Sequence, residues 1–514
     1  MLSKILSYAL NGIDGFLVEV EVDICGGLPK FELVGLGDTA IKESKERVRS
    51  AIRNSGFEYP AKAITINLAP ADLKKEGPFY DLAIAIGVIS ASVHFKTEEI
   101  KAEKLKEYVI VGELSLDGKV KPVKGVLPLL ISARKAGYKK FILPSKNCIE
   151  ASYISGIEVF GVDNLCDAVA FLREEKEILP TEVSNFESSF ITEQKGLDFS
   201  FVKGQARAKR ALEIAAAGGH NVLMIGPPGS GKSMLAKCFP SILPDLTFEE
   251  ALEVTKIHSV AGTLDYKKGI IKERPFRTPH HSASPISLTG GGVHAKPGEI
   301  SLAHNGVLYL DEMPEYTRHC LEMLRQPLED GVITVARAEK TIQYPANFTL
   351  IASMNPCPCG YYGSKNRECK CSPAQIHKYL SKISGPILDR IDIHVEVDNV
   401  TFDDLRVESN EEPSSSIRER VNCAREIQLK RFKSAKNYSN SKMSVPQTKK
   451  YCVLSQECEQ LLKVAFENLK LSARAHDRIL RVARTIADLE NYEEIQAQHI
   501  AEAISYRSLD RKYM

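Results

Sequence analysis

The stretch VLMIGPPGSGKSMLAK, residues 222–237, is an apolar run, a glycine-rich turn and a helical pattern. Gly226, Pro227, Pro228, Gly229, Ser230, Gly231, Lys232 and Ser233 fill the pattern G-x-x-x-x-G-K-[ST]. Glycines at this spacing let successive backbone N–H groups turn inward around a β-phosphate, and the positive end of the following helix adds to them. Lys232 neutralises β/γ charge and Ser233 offers a hydroxyl to Mg²⁺, so ATP and Mg²⁺ are the expected ligands. Such a turn needs an acidic strand downstream. GVLYLDEM supplies four apolar residues followed by Asp311, to hold Mg²⁺ through water, and Glu312, to polarise the attacking water as general base. A further apolar run, FTLIASMN, ends on Asn355. Its tip belongs between the P-loop and the acidic strand, where an amide orients the water near the γ-phosphate.

A cysteine cluster follows directly. Cys357, Cys359, Cys369 and Cys371 form two C-x-C pairs and are four of the twelve cysteines in the chain. Four thiolates can enclose Zn²⁺ in a closed, structural site; reduced thiols without a ligand are the alternative. Lys365, Arg367 and Lys370 lie inside this loop, and Tyr361 and Tyr362 beside it. Cations interleaved with aromatics suit a single nucleic-acid strand, whose phosphates need charge and whose bases need stacking.

The elements that must position these groups fall into three blocks. At 514 residues the chain exceeds one hydrophobic core. Residues 1–175 read as a mixed α/β domain: FLVEVEVDI alternates like a strand, and DTAIKESKERVRSAIRNSG is an amphipathic helix with Asp38 as its expected cap. Residues 176–196 are charged and weakly periodic, and read as a linker. Residues 197–400 carry the P-loop core with a parallel sheet, and residues 401–514 are mainly helical. Composition is 43% hydrophobic and 26% charged with a net charge of +2, so any polyanion site must come from local patches. The apolar YDLAIAIGVISASVHF is too short for a membrane span and reads as a buried helix. With the other cysteines scattered singly, a reducing cytoplasm and no membrane are the expected setting.

Three further stretches invite polyanion contact. KERPFRTPHHSAS places Arg274, Arg277, His280 and His281 in an excursion, with the two histidines pointing apart. LEDGVITVARAEKTIQYPANF reads as a hairpin with a basic tip at residues 337–340. In residues 415–450 lysine and arginine far outnumber acids, and Lys430, Arg431 and Lys433 are candidates for tracking phosphates; a solvated surface is the alternative.

A P-loop, an acidic strand and a polar strand tip in this order form the pattern of an AAA+ ATPase, in which Asn355 matches sensor 1. By the same resemblance GPILDRIDIHVEV carries an arginine finger, Arg390, reaching the neighbouring subunit's nucleotide, and Arg474, in the first turn of a helix capped by Ser472, matches sensor 2. GLPKFELVGLGDTAIKESKERVRSAI, RPFRTPHHSAS, PGEISLAHNGVLYLDEM and MNPCPCGYYG together closely resemble the ComM (YifB) family, the magnesium-chelatase-like branch of AAA+ ATPases, over nearly the whole chain. The resemblance implies a homo-hexameric, DNA-stimulated ATPase. It also implies branch migration on single-stranded and branched DNA, assisting integration of transforming DNA in natural competence alongside recombination proteins.

The N-terminal block resembles the Lon protease domain. Phe79 follows Gly77-Pro78 where the nucleophilic serine would stand, and Leu127 occupies the lysine's place, so peptidase chemistry is not expected. A magnesium-chelatase motor subunit and a protein-remodelling AAA+ ATPase are the competing functions.

Overall fold

A computed structural model of the chain describes residues 2–35, 37, 39–73, 75, 77–92, 100–186, 197–265, 267–292, 295–336, 341–363, 367–399, 411–433, 439–469 and 471–507. Asp38, Lys365 and the hairpin tip at 337–340 lie outside the described residues. The chain forms two compact units: Met1–Ile191 with Phe248–Lys272, and Thr192–Thr247 with Glu273–Met514.

The first unit is built on a seven-stranded sheet. Its order is Lys30–Val34, Ala63–Ala69, Asp14–Cys25, Leu2–Asn11, Tyr108–Ile110, Lys140–Pro144 and Glu158–Val162. Leu2–Asn11 and Asp14–Cys25 form a hairpin that pairs Asn11 with Asp14. Side chains alternate across a strand, so Val18, Val20 and Val22 share one fully buried face. The helix Asp81–Ser92 is buried along almost its whole length, which suits a run with no polar stripe. Its Asp81 is tolerated there because Arg47 donates to both carboxylate oxygens, at 2.7 and 3.1 Å. No helix among the described residues is long and apolar enough to cross a membrane. Leu127 is buried in the core and Phe79 packs edge-on against Tyr80.

One part of the first unit comes from the middle of the chain. The helix Phe248–Ala261, inside the range expected for the ATPase core, belongs with the N-terminal residues. Ser259 Oγ accepts from the backbone N–H of Gly125 at 3.1 Å and donates to Glu150 at 3.2 Å. Asn147 donates to the other oxygen of Glu150 at 2.6 Å. Part of the expected linker is also ordered here: Thr181 N–H donates to Val159 and Ser184 N–H to Ser152, and Phe186 meets Phe248 edge-on.

The second unit holds a five-stranded sheet in the order Phe276–Arg277, Val307–Leu310, Thr349–Met354, Val222–Ile225, Ile393–Glu396, with every pairing parallel. The C-terminal region is helical, with Ser414–Phe432, Val445–Tyr451, Gln456–Leu469, Ala473–Leu489 and Ala497–Ser505. It shares one hydrophobic core with the sheet: Ile479, Val482 and Ile486 pack in the same cluster as Leu212, Val222 and Ile393. Ser472 caps its helix by accepting from Ala475 N–H at 3.2 Å. A buried polar network also joins helix to sheet. His220 meets Asp392 at 3.2 Å through Nδ1 and Thr485 at 2.8 Å through Nε2, while Arg478 pairs with Asp392.

Several cations expected to face a polyanion are already partnered. Arg431 is held bidentate by the buried Asp488, Arg420 pairs with Glu213 and Glu412, and Arg418 with Asp245, so much of the basic helix is neutralised within the chain. Arg274 donates to the carbonyls of Pro244, Asn305 and Asp245, and Arg277 forms two 2.7 Å bonds with Glu299. The rings of His280 and His281 do not point apart; their centroids lie 4.0 Å from each other with the planes tilted by 35°, because the segment turns instead of running as a strand.

Glu150 generates a pH prediction. Burial pushes its carboxyl up to about 7 from 4.5, against the hydrogen bonds from Asn147, Ser259 and Leu127 N–H that favour the ionised form. Between those values the folded chain holds a proton that the unfolded chain has lost, so stability falls as pH rises from about 4.5 to 7. The effect is about 3 kcal/mol at most. Glu150→Gln mimics the protonated form. Its melting temperature should match the parent near pH 5 and exceed it progressively towards pH 8. A parent-minus-variant difference that does not change with pH would contradict this.

Candidate functional site

Parallel pairing brings the carboxyl ends of all five strands to one edge, where ligands bind in open α/β sheets. The strand Thr349–Met354 lies between the P-loop strand and the acidic strand, pairing Met354 with Ile225 and Ala352 with Leu310. Gly226, Asp311 and Asn355 therefore emerge side by side. The P-loop turn uses its glycines differently. Gly229 and Gly231 have positive φ of 79° and 90°. At Gly226 the limit is space, since a Cβ would lie 2.2 Å from the carbonyl oxygen of Val397.

Lys232 is buried and curls back over the turn. Its Nζ donates to the carbonyls of Gly226 and Pro227, both at 2.7 Å, and to Asn355 Oδ1 at 3.3 Å. Burial lowers its pKa to about 8, more than Asp311 and Glu312 raise it. A buried ammonium with no ion pair among the described residues is a ready partner for a phosphate. Ser233 Oγ donates to Asp311 Oδ2 at 3.0 Å, bringing two hard oxygen donors together as Mg²⁺ requires. Burial raises the Asp311 pKa, but hydrogen bonds from Ser353, Tyr309 and Ser233 outweigh it and keep the carboxylate below its ordinary value. Glu312 is exposed with φ of 50°, and its N–H donates to Asp311 Oδ1 at 3.1 Å and to Ser353 Oγ at 3.2 Å. A triphosphate and its cation fit this set.

Arg390 and Arg474 stand apart from it. Arg390 pairs with Glu329 and donates to the Pro386 carbonyl at 2.7 Å. Arg474 is exposed in the first turn of its helix, with no contact to Lys232, Asp311 or Glu312 among the described residues. The four cysteines, by contrast, converge: their sulfurs all lie within 4.8 Å of one another, three of the separations being 3.4–3.6 Å. Zinc–sulfur bonds of about 2.3 Å in a tetrahedron place sulfurs about 3.8 Å apart, so the donor set is close to ligand geometry. N–H groups of Tyr361 and Lys370 point at Cys359 and help lower it to about 6, whereas Cys369 is raised, despite the N–H of Cys371, by sharing the site with Cys357 and Cys359. Thiols this close cannot all ionise without a cation. Arg367 is occupied within the loop, stacked at 4.5 Å over the Tyr361 ring.

Three residues at the site are not apparent from motif spacing. Ser353 and Tyr309 together bind Asp311, Ser233 and the N–H of Glu312. Gln205 donates to the carbonyls of Ser230 and Asp398, fastening the P-loop to the end of the neighbouring strand. A serine inside the otherwise apolar LIASM was the available signal for Ser353; Gln205 had none.

The fold and the site define a P-loop nucleotide-binding protein of the AAA+ type. Family profiles agree: residues 198–405 match magnesium chelatase, subunit ChlI; residues 20–147 match subunit ChlI of Mg-chelatase; and residues 411–507 match the ChlI C-terminal region. The chain is 45% identical to competence protein ComM of Haemophilus influenzae, covering 99% of this chain and 98% of that one. It is 45% identical to YifB of Escherichia coli, again over 99% and 98%. The magnesium-chelatase 38 kDa subunit of Cereibacter sphaeroides is 28% identical over 32% of this chain and 54% of its own. The chain belongs to the ComM (YifB) family, in the magnesium-chelatase-like branch of AAA+ proteins. That membership points to ATPase activity, with ATP and Mg²⁺ as ligands.

The geometry separates three variants. Lys232→Ala should lose ATP binding, because the phosphate charge loses its buried partner. Glu312→Gln should bind ATP with turnover lowered by roughly 10²–10⁴. Ser353→Ala should bind ATP and lose roughly tenfold in kcat, as Asp311 and Glu312 lose a shared anchor. Nucleotide titration and steady-state ATPase assays check all three, and normal turnover in Glu312→Gln would remove it as the base.

Proposed function

We propose that the protein is an ATP-driven DNA-remodelling motor. It works as a homo-hexameric ring on single-stranded and branched DNA, migrating branches so that transforming DNA is integrated during competence, with recombination proteins as partners. The carrying observation is the full-length likeness to a competence protein in a chain whose Lys232, Ser233, Asp311, Glu312 and Asn355 meet at one sheet edge. Ser233 and Asp311 would hold Mg²⁺, which when bound would supply positive charge against the phosphates, while Glu312 takes the proton of the attacking water and Asn355 orients that water. Arg390 leaves Glu329 to reach a neighbour's nucleotide, and Arg474 reads nucleotide state from the helical region. The cysteine cluster holds structural Zn²⁺. Lys430 on the basic helix and Lys433 just past its end remain as phosphate contacts, since Arg431 is committed to Asp488.

A second reading, a magnesium-chelatase-like motor subunit, is favoured by the family profiles over three stretches of the chain. The two part in one assay. ATPase rate should rise severalfold with single-stranded or branched DNA and stay at its basal value with a porphyrin-binding partner. Stimulation only by the latter would reverse the assignment. Arg390→Ala should bind ATP without hydrolysing it, and mixing it with Lys232→Ala subunits should restore part of the activity. Absence of rescue at every mixing ratio would count against a role across subunits.

A further inference from the structure

The cysteine cluster touches the P-loop. Gly360, between Cys359 and Tyr361, has a φ of 85°, and a Cβ there would lie 2.5 Å from Cδ of Pro228 and 3.2 Å from its Cγ. The glycine is held in place by its N–H, which donates to the Cys357 carbonyl at 3.0 Å. A second connection runs through the strand that leads into the cluster: Gly226 N–H donates to the Met354 carbonyl at 3.2 Å, and Asn355 Oδ1 accepts from Lys232. The first and third residues of the phosphate-binding turn thus rest on the base of the cysteine loop.

The cluster itself is built to hold an ion. Tyr362 N–H donates to Cys357 Sγ at 3.3 Å, N–H groups of Tyr361 and Lys370 face Cys359, that of Cys371 faces Cys369, and that of Cys359 faces Cys371. Backbone donors on every sulfur orient thiolate ligands and spread their charge, the outer-shell arrangement that metal sites need. Without a cation, ionised sulfurs this close repel, and the loop that carries Gly360 loses its clamp.

We propose that a thiophilic divalent cation on Cys357, Cys359, Cys369 and Cys371 holds the P-loop in its phosphate-binding shape through the Gly360–Pro228 contact, so that nucleotide affinity depends on metal occupancy. The inference rests on the zinc site proposed above and extends it from a structural role to control of the nucleotide site. Gly360 is a positioning residue: it acts on the phosphate turn through Pro228 alone.

The test uses the full chain purified without added metal. Samples are stripped with a zinc chelator in reducing buffer, returned to Mg²⁺, and titrated with a fluorescent ATP analogue, with elemental analysis on each sample. About one zinc per chain is expected before stripping. Stripping should raise Kd roughly tenfold, and adding Zn²⁺ should restore it. Gly360→Ala should keep its zinc and show a comparable rise, because the added methyl pushes on Pro228. Combining it with Pro228→Ala should return Kd towards that of Pro228→Ala alone. Bound zinc with a Kd that does not change on stripping overturns the coupling and leaves the metal site standing. A chain that neither contains nor takes up metal overturns both. If stripping unfolds the protein, seen by circular dichroism, Gly360→Ala decides, since it keeps its metal; an unchanged Kd in that variant overturns the proposal.

Discussion

A buried ammonium held, among the described residues, by neutral oxygens and no ion pair organises the second unit. Lys232 has been taken out of water and given carbonyl and amide oxygens in place of a carboxylate. Those acceptors stabilise the cation less than full charges would, and its pKa falls accordingly. An anion that enters the site gains the attraction that neutral acceptors do not supply. The neighbours of Lys232 serve that condition: Asp311 is kept ionised and directed at Ser233, leaving Lys232 to the incoming phosphates. If Asp311 bonded Lys232 directly, the ligand would have to break a low-dielectric ion pair to enter.

Holding Lys232 this way requires three strands in one register. A slip of one residue in the strand Thr349–Met354 would turn Ser353 away from Asp311 and carry Asn355 away from Lys232. The register is guarded by Asn221, whose side chain accepts from Leu350 N–H at 2.8 Å and donates to the Arg390 carbonyl at 3.0 Å. One residue thereby fixes the P-loop strand, the strand Thr349–Met354 and the segment carrying Arg390. Two residues beyond Arg390, Asp392 meets Arg478 and His220, and its carboxyl is held far below the usual range because the Arg478 guanidinium and the hydrogen bond with His220 outweigh the cost of burial. The helical region and the arginine segment are thus mechanically continuous, through charges whose separation in a dry interior is costly.

The first unit meets a different constraint. Phe79 and Leu127 there are apolar, and a buried carboxyl group, Glu150, serves packing: it ties Asn147 to Ser259 on the helix Phe248–Ala261. That helix is supplied by the chain between the P-loop and the next strand of the ATPase sheet, so the two units are interleaved in sequence although each has its own core.

The nucleotide motifs were legible from sequence because they are local: a turn that needs glycine, a lysine at fixed spacing and acids at a strand end declare themselves within a few residues. So did the alternating hairpin Leu2–Cys25 and the buried helix at Asp81, whose periods are intrinsic to strand and helix. What lay beyond the sequence were partnerships between distant residues. Whether Arg274, Arg277 and Arg431 are free for a polyanion depends on Asn305, Glu299 and Asp488, and no spacing rule connects them. The closeness of the His280 and His281 rings follows from a turn, and the allegiance of Phe248–Ala261 from which core has room for its apolar face. Gly360 shows the division most plainly. Its place beside a cysteine is written in the chain, but only the fold brings it against Pro228, where the space for a side chain runs out.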